Sequence, residues 1–437
     1  MERKIAKELE AWRNKPRRKP LLLQGARQVG KTYSVLEFGR AHYRNTLYVS
    51  LEDSREYAAV FERDLDPDRI VRELAALMGQ TVSVDGTLIV LDEVQAVPRA
   101  LTSLKYFAEG STPYHVIATG SLLGVNVAPK HQTYSFPVGK VDMRTMYPLD
   151  FEEFAWAVGE PMMADAIREY AGSNRAFLFH ERALGLYRQH LAVGGMPEVV
   201  RTFAEQGLKP ADDFNLVVAA LKRLNDSAIA DMAKYAAPAD TARIIGTWAS
   251  MPAQLGKDNH KFQYSLIRPG ARASQYEWAL WWLELSGLVI KVPLTSQGRL
   301  PLAAHVEADS FKLYLHDTGV LATKLEVPLH QLVHAPRAVS GFAGALTENY
   351  VAQTLAARGI TAYYWASPGK AEVDFVIQNR DGDIVPIEVK AGDNVRSRSL
   401  ARFAELYRPR ELVRISTRNF GFEGAIRSVP LYAAWLI

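Results

Sequence analysis

The 437-residue chain contains no cysteine. That single absence removes disulfide scaffolds, thiolate zinc sites and cysteine nucleophiles together. Long apolar runs are missing as well, for no window approaches the roughly 18 uninterrupted apolar residues of a membrane helix. Met1-Glu2-Arg3-Lys4-Ile5 leads into the charged stretch Arg13 to Lys19 without the apolar core of a signal peptide. A cytoplasmic location with no membrane partner is therefore expected. The ten histidines show no H-E-x-x-H or comparable zinc spacing. Internal repeats and low-complexity tracts are lacking too.

What is present is ordinary globular material, 48% hydrophobic and 23% charged, in a chain too long for one hydrophobic core. Net charge is only +4. It is unevenly placed: residues 391–437 hold eight arginines against four acids, and residues 1–20 hold eight Lys or Arg against three acids. Basic ends attract phosphates, although solvated helix faces would have the same composition.

Short apolar runs alternate with helix-compatible stretches over the first 120 residues or so. Lys19 to Gln24, Asn45 to Leu51, Gly86 to Leu91 and Tyr114 to Thr119 read as strands, with helices at Lys31 to Tyr43, Pro67 to Met78 and Pro98 to Glu109. That alternation predicts an α/β domain with a parallel sheet covered on both faces. Beyond Pro148 the pattern turns helical. It ends in a Trp-rich helix, Ser274 to Ser286, followed by two strand-like runs, Val289 to Pro293 and Phe311 to Leu315, an arrangement suggesting a winged-helix module. Trp278, Trp281 and Trp282 are read as one core-facing side of that helix. Pro328 to Val339 is the candidate linker. A helix at Gly344 to Arg358 and strands at Ala362 to Trp365, Glu372 to Gln378 and Ile384 to Lys390 then make a second α/β region.

Gly25-Ala26-Arg27-Gln28-Val29-Gly30-Lys31-Thr32 fits G-x-x-x-x-G-K-[ST] after a strand and opening a helix. The glycines let backbone N–H groups approach phosphates, and the helix N-terminus adds partial positive charge. ATP and Mg²⁺ are the expected ligands, Lys31 pairing the β- and γ-phosphates and Thr32 ligating the metal. Sixty residues on, an apolar strand ends in Asp92-Glu93. Asp92 is expected to hold Mg²⁺ through water and Glu93 to polarise the attacking water. The next strand ends Ala118-Thr119-Gly120-Ser121, whose hydroxyls could reach the γ-phosphate; Ser121 joins the candidate catalytic residues.

These residues resemble a family. The loop Gly25 to Thr32, Leu91-Asp92-Glu93-Val94-Gln95, Thr119-Gly120-Ser121-Leu122-Leu123, Tyr147-Pro148-Leu149-Asp150-Phe151-Glu152-Glu153-Phe154, Gly194-Gly195-Met196-Pro197-Glu198, Gln254-Leu255-Gly256, His316-Asp317-Thr318-Gly319 and Gly344-Ala345-Leu346-Thr347-Glu348-Asn349 look like the AAA+ type ATPases of bacteria and archaea that carry an uncharacterised C-terminal domain. The resemblance implies a P-loop AAA+ domain with a helical lid over residues 1–208, a winged-helix-like domain over 209–330 and a domain similar to PD-(D/E)XK nucleases over 331–437. It implies no settled substrate. Members usually show Gly-Arg before the Pro-Leu-Ser-Phe motif, whereas this chain has Gly139-Lys140, with Arg144 four residues on. Lysine lacks the guanidinium fork that holds a phosphoryl transition state bidentately.

In the last hundred residues, period two puts Glu388 and Lys390 on one strand face, and an antiparallel neighbour would bring Asp374 beside them. Converging carboxylates repel unless a cation sits between, so Asp374 and Glu388 are candidate Mg²⁺ ligands. Lys390 is then placed to activate a water, with Glu348 as a further carboxylate. The order Glu348, Asp374, Glu388, Lys390 resembles the PD-(D/E)XK set. Arg396, Arg398 and Arg402 follow, where a DNA backbone could run. Two functions stay open: an ATPase controlling a DNA-binding, DNA-cleaving domain, and an ATP-dependent switch or scaffold whose nuclease-like domain is inert. A homo-oligomer or a protein partner is compatible with either.

Overall fold

Leu21, Leu22 and Leu23 are essentially unexposed in strand β1 (Leu21–Gln24), which is flanked by a parallel strand on each side. The computed structural model describes residues 1–121, 136–173, 175–206, 214–257, 260–367, 371–392 and 397–437. They form two compact units, one of residues 2–147 with 285–287, the other of residue 1, 148–284 and 288–437.

The first unit is built on β1 with β2 (Asn45–Ser50), β3 (Thr87–Asp92), β4 (His115–Gly120) and β5 (Asp142–Thr145) in the order β2-β3-β4-β1-β5. Every pairing is parallel. Helices Lys31–His42, Pro67–Leu77 and Pro98–Glu109 fall within a residue or so of the sequence reading. Leu88, Ile89, Val90 and Leu91 have no exposed surface, as a central parallel strand requires. The order puts the C-terminal ends of β3, β4 and β1 side by side, the usual ligand edge of such a sheet.

The second unit carries an eight-stranded mixed sheet of β6 (Val289–Thr295), β7 (Val306–Leu315), β8 (Ala362–Ala366), β9 (Glu372–Gln378), β10 (Ile384–Lys390), β11 (Leu412–Ser416), β12 (Gly421–Glu423) and β13 (Ile426–Pro430). Its order is β12-β13-β11-β10-β9-β8-β6-β7. The β6–β7 hairpin is thus sewn to the C-terminal strands through the parallel pairs Leu294↔Tyr364 and Thr295↔Trp365. Leu302, in the hairpin's connection, shares a core cluster with Trp365, Val373, Leu400 and Phe403. Helix Ser340–Ala357 is buried along most of its length. The helices between Phe151 and Gln206 also belong to this unit, where Asn419 clasps the backbone of Phe177 in both directions.

Three of the motif segments form one packing knot. Asp317 caps helix Thr318–Lys324 by accepting from Val320 N, and its other oxygen accepts from Gly195 N at 2.6 Å. A Cβ on Gly195 would lie 2.1 Å from Leu149 O, and one on Gly319 would lie 2.3 Å from Val193 O. No side chain fits at either position.

Two expectations are corrected. Pro328 to Val339 is no linker: it forms helix Leu329–His334 and a 3₁₀ turn, with Leu329, Leu332, Val333 and Val339 buried. Its apolar residues are packing groups that the two prolines obscure. The three tryptophans do not share the core either. Trp282 is buried, whereas Trp281 is exposed and packs against Trp278, the ring centroids 4.8 Å apart and the planes tilted by 40°. Successive helical residues diverge by about 100°, so 281 and 282 cannot face one way.

Candidate functional site

At the C-terminal edge of β1 the chain turns on Gly25, whose φ of +148° and whose approach to Met146 O, 2.1 Å from where a Cβ would stand, admit only glycine. Gln28 and Gly30 also take positive φ, so the loop Gly25 to Gly30 coils before helix Lys31–His42 begins. Ala26 and Val29 are buried beneath it and Arg27 pairs with Glu52 at 3.4 Å. Arg3 donates to Val29 O and Tyr147 O, fastening the loop from below.

Lys31 is 6% exposed and donates to the loop's own carbonyls, Gly25 O at 3.0 Å and Ala26 O at 2.8 Å. Burial pushes its ammonium down to about 8, against the pull of Glu93 and Asp92. A desolvated cation resting on backbone carbonyls at a helix N-terminus is suited to an anion.

Asp92, at the end of β3, is the hub of the site. Its Oδ2 accepts from Thr32 Oγ1 at 2.8 Å and Tyr48 OH at 2.9 Å, while Oδ1 accepts from Thr119 Oγ1 and from Glu93 N. Glu93 occupies the left-handed region at φ 52°, and its carboxylate accepts from the Gln95 side chain. Ser121 Oγ is buried without a hydrogen-bond partner. Thr32, Asp92, Glu93 and Ser121, expected from sequence, are thus brought to one edge of one sheet; Leu122 and Leu123 of the same motif lie outside the described residues. Tyr48 escapes sequence reasoning, since one tyrosine in a β-strand carries no motif. Lys140 pairs with Glu109 and Arg144 with Glu8.

The orphan hydroxyl of Ser121, the desolvated Lys31 and the Thr32–Asp92 pair fit a nucleotide phosphate with Mg²⁺. Asp92 reaches Thr32 directly, which suits an outer position relative to a metal held by the Thr32 hydroxyl.

The C-terminal residues gather in the second unit, with a different outcome. The β9–β10 register, Ile387↔Phe375, places Glu388 opposite Asp374 as period two requires. Asp374 Oδ2, however, accepts from Val389 N at 2.7 Å, and Glu388 Oε1 pairs with Lys390 Nζ at 2.8 Å. Glu388 Oε2 is buried without a hydrogen-bond partner. Glu348, on helix Ser340–Ala357, directs its Oε2 toward three donors: His260 Nδ1 at 2.8 Å, Tyr314 OH at 3.0 Å and Lys312 Nζ at 3.5 Å. Lys312, on β7 and only 1% exposed, also pairs with Glu372 at 2.7 Å and lies 5.4 Å from the Tyr364 ring centroid.

The electrostatics follow. Burial would raise the Glu348 carboxyl, but Lys312 and the hydrogen bond from His260 bring it down to about 2. Burial and the neighbouring Glu348 charge push Asp374 up to about 7. Lys312 is raised despite its burial, chiefly by Glu348. Among the described residues no group of three or more His, Asp or Glu is disposed to hold a metal ion. Lys312, His260 and Tyr314 also escape sequence reasoning; a lysine inside the apolar run Phe311-Lys312-Leu313-Tyr314-Leu315 is the available signal. Arg398 and Arg402 are exposed on helix Arg398–Tyr407, Arg402 pairing with Glu405; Arg396 lies outside the described residues.

Residues 17–155 match a family model described as an AAA domain. Residues 184–331 and 343–433 match two models, each described as a domain of unknown function. No curated protein matches the chain. Among solved structures, the Orc1 protein of Aeropyrum pernix in complex with DNA is similar at 12% identity and a TM-score of 0.30, over 74% of this chain and 91% of that one. Residues 17–155 are therefore an AAA-type ATPase domain, which implies nucleotide binding. Among the described residues no helix is long and apolar enough to cross a membrane.

Proposed function

We propose that this protein is an ATP-hydrolysing switch whose nucleotide state controls a C-terminal nuclease-like module that binds DNA without cutting it. In this reading the chain divides by role into a nucleotide-binding part to residue 208, a winged-helix part over 209–330 and the nuclease-like part over 331–437.

Thr32 and Asp92 would hold Mg²⁺, which when bound neutralises phosphate oxygens and the charge that develops between them. The chain's own groups do the rest. Loop N–H groups from Gly25 to Gly30 and the Lys31 ammonium bind and orient the β- and γ-phosphates. Glu93 positions a water in line with the γ-phosphorus and accepts its proton, and turning Glu93 away from Gln95 frees its carboxylate for that task. The Ser121 hydroxyl is free to donate to a γ-phosphate oxygen.

The observation favouring an inert module over a nuclease is Lys312. Its ammonium stands against Glu372 and Glu348, and Lys390 is paired with Glu388. The carboxylates and the lysine that a cleavage site needs are thus engaged with one another and with a further cation. DNA enters the proposal through the exposed Arg398 and Arg402, with the basic excess of residues 391–437 behind them.

Three assays on the full chain test it. ATP turnover in Mg²⁺ should be measurable, and supercoiled plasmid should stay intact in Mg²⁺ or Mn²⁺ with or without ATP. Binding to a DNA duplex should weaken with rising salt, and R398A/R402A should flatten that slope by about 0.9 for each phosphate no longer neutralised. Metal-dependent nicking that Asp374→Ala abolishes would replace the switch reading with the nuclease.

A further inference from the structure

A non-cleaving C-terminal module still has charge to balance. Glu348 and Glu372 share the Lys312 ammonium, and Glu348 lies near enough to Asp374 to raise its carboxyl; partly buried carboxylates gathered in this way need a cation. Where a divalent metal would provide it, the fold supplies a side chain.

We propose that Lys312 is the resident cation of this cluster: its ammonium stands in for a divalent metal ion, and the wild-type cluster consequently takes none. The inference rests on the non-cleaving reading above and goes beyond it by naming the occupant. Lys312 Nζ lies 2.7 Å from Glu372 Oε1 and 3.5 Å from Glu348 Oε2, with the face of Tyr364 on another side at 5.4 Å. An ammonium so placed is held by charge, hydrogen bonds and an aromatic quadrupole together.

Each of these carboxylates already has a cation or a donor on one oxygen, while Glu388 Oε2 is without a hydrogen-bond partner. Glu348 Oε2 faces His260, Tyr314 and Lys312; Glu372 faces Lys312 and, at 3.7 Å, Lys261; Asp374 Oδ2 takes the Val389 N–H; Glu388 Oε1 takes Lys390. Mg²⁺ and Mn²⁺ demand an oxygen-rich shell, and neither tolerates an ammonium at contact distance. Lys312 reaches the cluster from β7, in the hairpin between Val289 and Leu315, while the carboxylates come from helix Ser340–Ala357 and from β9. Its presence is therefore a consequence of the hairpin joining the C-terminal sheet. Sequence patterns confined to the last hundred residues contain no trace of it.

Removing the ammonium without replacing its charge should uncover a divalent site. The experiment counts Mn²⁺ bound to the full-length, nucleotide-free protein by electron paramagnetic resonance, for wild type, Lys312→Ala, Lys312→Arg and the double variant K312A/D374N. The expected result is one Mn²⁺ per chain more in Lys312→Ala than in wild type, with no gain in Lys312→Arg or in the double variant. A Lys312→Ala protein that keeps its native circular dichroism yet binds no additional Mn²⁺ overturns the proposal. So does a wild-type site that Asp374→Asn removes. If Lys312→Ala does not fold in chelator, its refolding in Mn²⁺ but not in K⁺ supports the proposal, and failure in both overturns it. Plasmid cleavage by wild type would instead overturn the non-cleaving reading, so the two failures are distinct.

Discussion

Thr32 donates its hydroxyl to Asp92 Oδ2 at 2.8 Å, joining the first turn of helix Lys31–His42 to the end of β3 across sixty residues of sequence. The hydrogen bond makes the phosphate loop and the acidic pair one device, because either residue moving would drag the other's partners with it. Tyr48 and Thr119 complete the clamp from β2 and β4.

Lys31→Ala should abolish nucleotide binding or turnover. The ammonium is buried and poised on the Gly25 and Ala26 carbonyls, so its loss removes the cation and leaves those acceptors unpaired. A fall of about 100-fold or more in kcat/KM is expected for a lost charge-stabilising donor. Fluorescent-nucleotide titration and a phosphate-release assay check it; unchanged affinity together with unchanged turnover would remove the loop from the mechanism.

Glu93→Gln should separate binding from chemistry. The amide keeps the size of the side chain but cannot accept the water's proton, so kcat should drop roughly 10²- to 10⁴-fold while ATP affinity stays close to wild type. Single-turnover rates beside equilibrium titration decide the matter. Lost binding with an undiminished rate per bound ATP would contradict the assigned role.

Asp317→Ala should act on stability and leave ATP turnover within the nucleotide site untouched. It strips acceptors from two buried N–H groups, Gly195 and Val320, and removes a helix cap. A loss of roughly 2–4 kcal/mol is expected from these effects together, read as a shift in urea midpoint. Midpoints equal to wild type would show that water or relaxation replaces the carboxylate.

His115 supplies a pH signature. Burial, with Arg18 adding to it, holds the imidazole down to about 4 from an ordinary value of 6.5, and Tyr43 OH lies 2.6 Å from its Nδ1. A folded value below the unfolded one means that the unfolded chain binds the extra proton first. The contribution is complete above pH 6.5 and is lost as pH falls toward 4, amounting to roughly 1–2 kcal/mol by pH 5. Urea midpoints at pH 7 and pH 5 should therefore differ more in wild type than in His115→Gln. Equal differences would mean that this ring does not govern the acid limb.

The nucleotide site is legible in the sequence because its parts are local. A loop of eight residues and an acidic pair at a strand end carry their geometry with them, and the apolar runs Leu21 to Leu23 and Leu88 to Leu91 fix which sheet edge they share. The carboxylate cluster is legible only by half. Period two and the turn at Asn379 to Asp383 align Asp374 with Glu388, but nothing in that segment announces Lys312, His260 or Tyr314, which arrive from 34 to 88 residues upstream of Glu348. Tertiary neighbours of that kind leave no periodic mark. The run Pro328 to Val339 misleads for another reason: its prolines look like breakers, while Leu329, Leu332 and Val333, at the helical spacing i, i+3, i+4, fill a helix of only six residues, too short a period to stand out.

The seam between β6 and β8 sets where the chain can be cut. A fragment beginning at residue 331 would be synthesised without β6 and β7, baring the backbone of β8 at Tyr364 and Trp365 and stranding Glu348 and Glu372 with no ammonium between them. Such an open edge invites a neighbouring molecule to pair along it. Any piece of the second unit that is to stay monodisperse therefore has to include the hairpin from Val289 to Leu315, and domain swaps with other chains would need to exchange the hairpin and the C-terminal strands together.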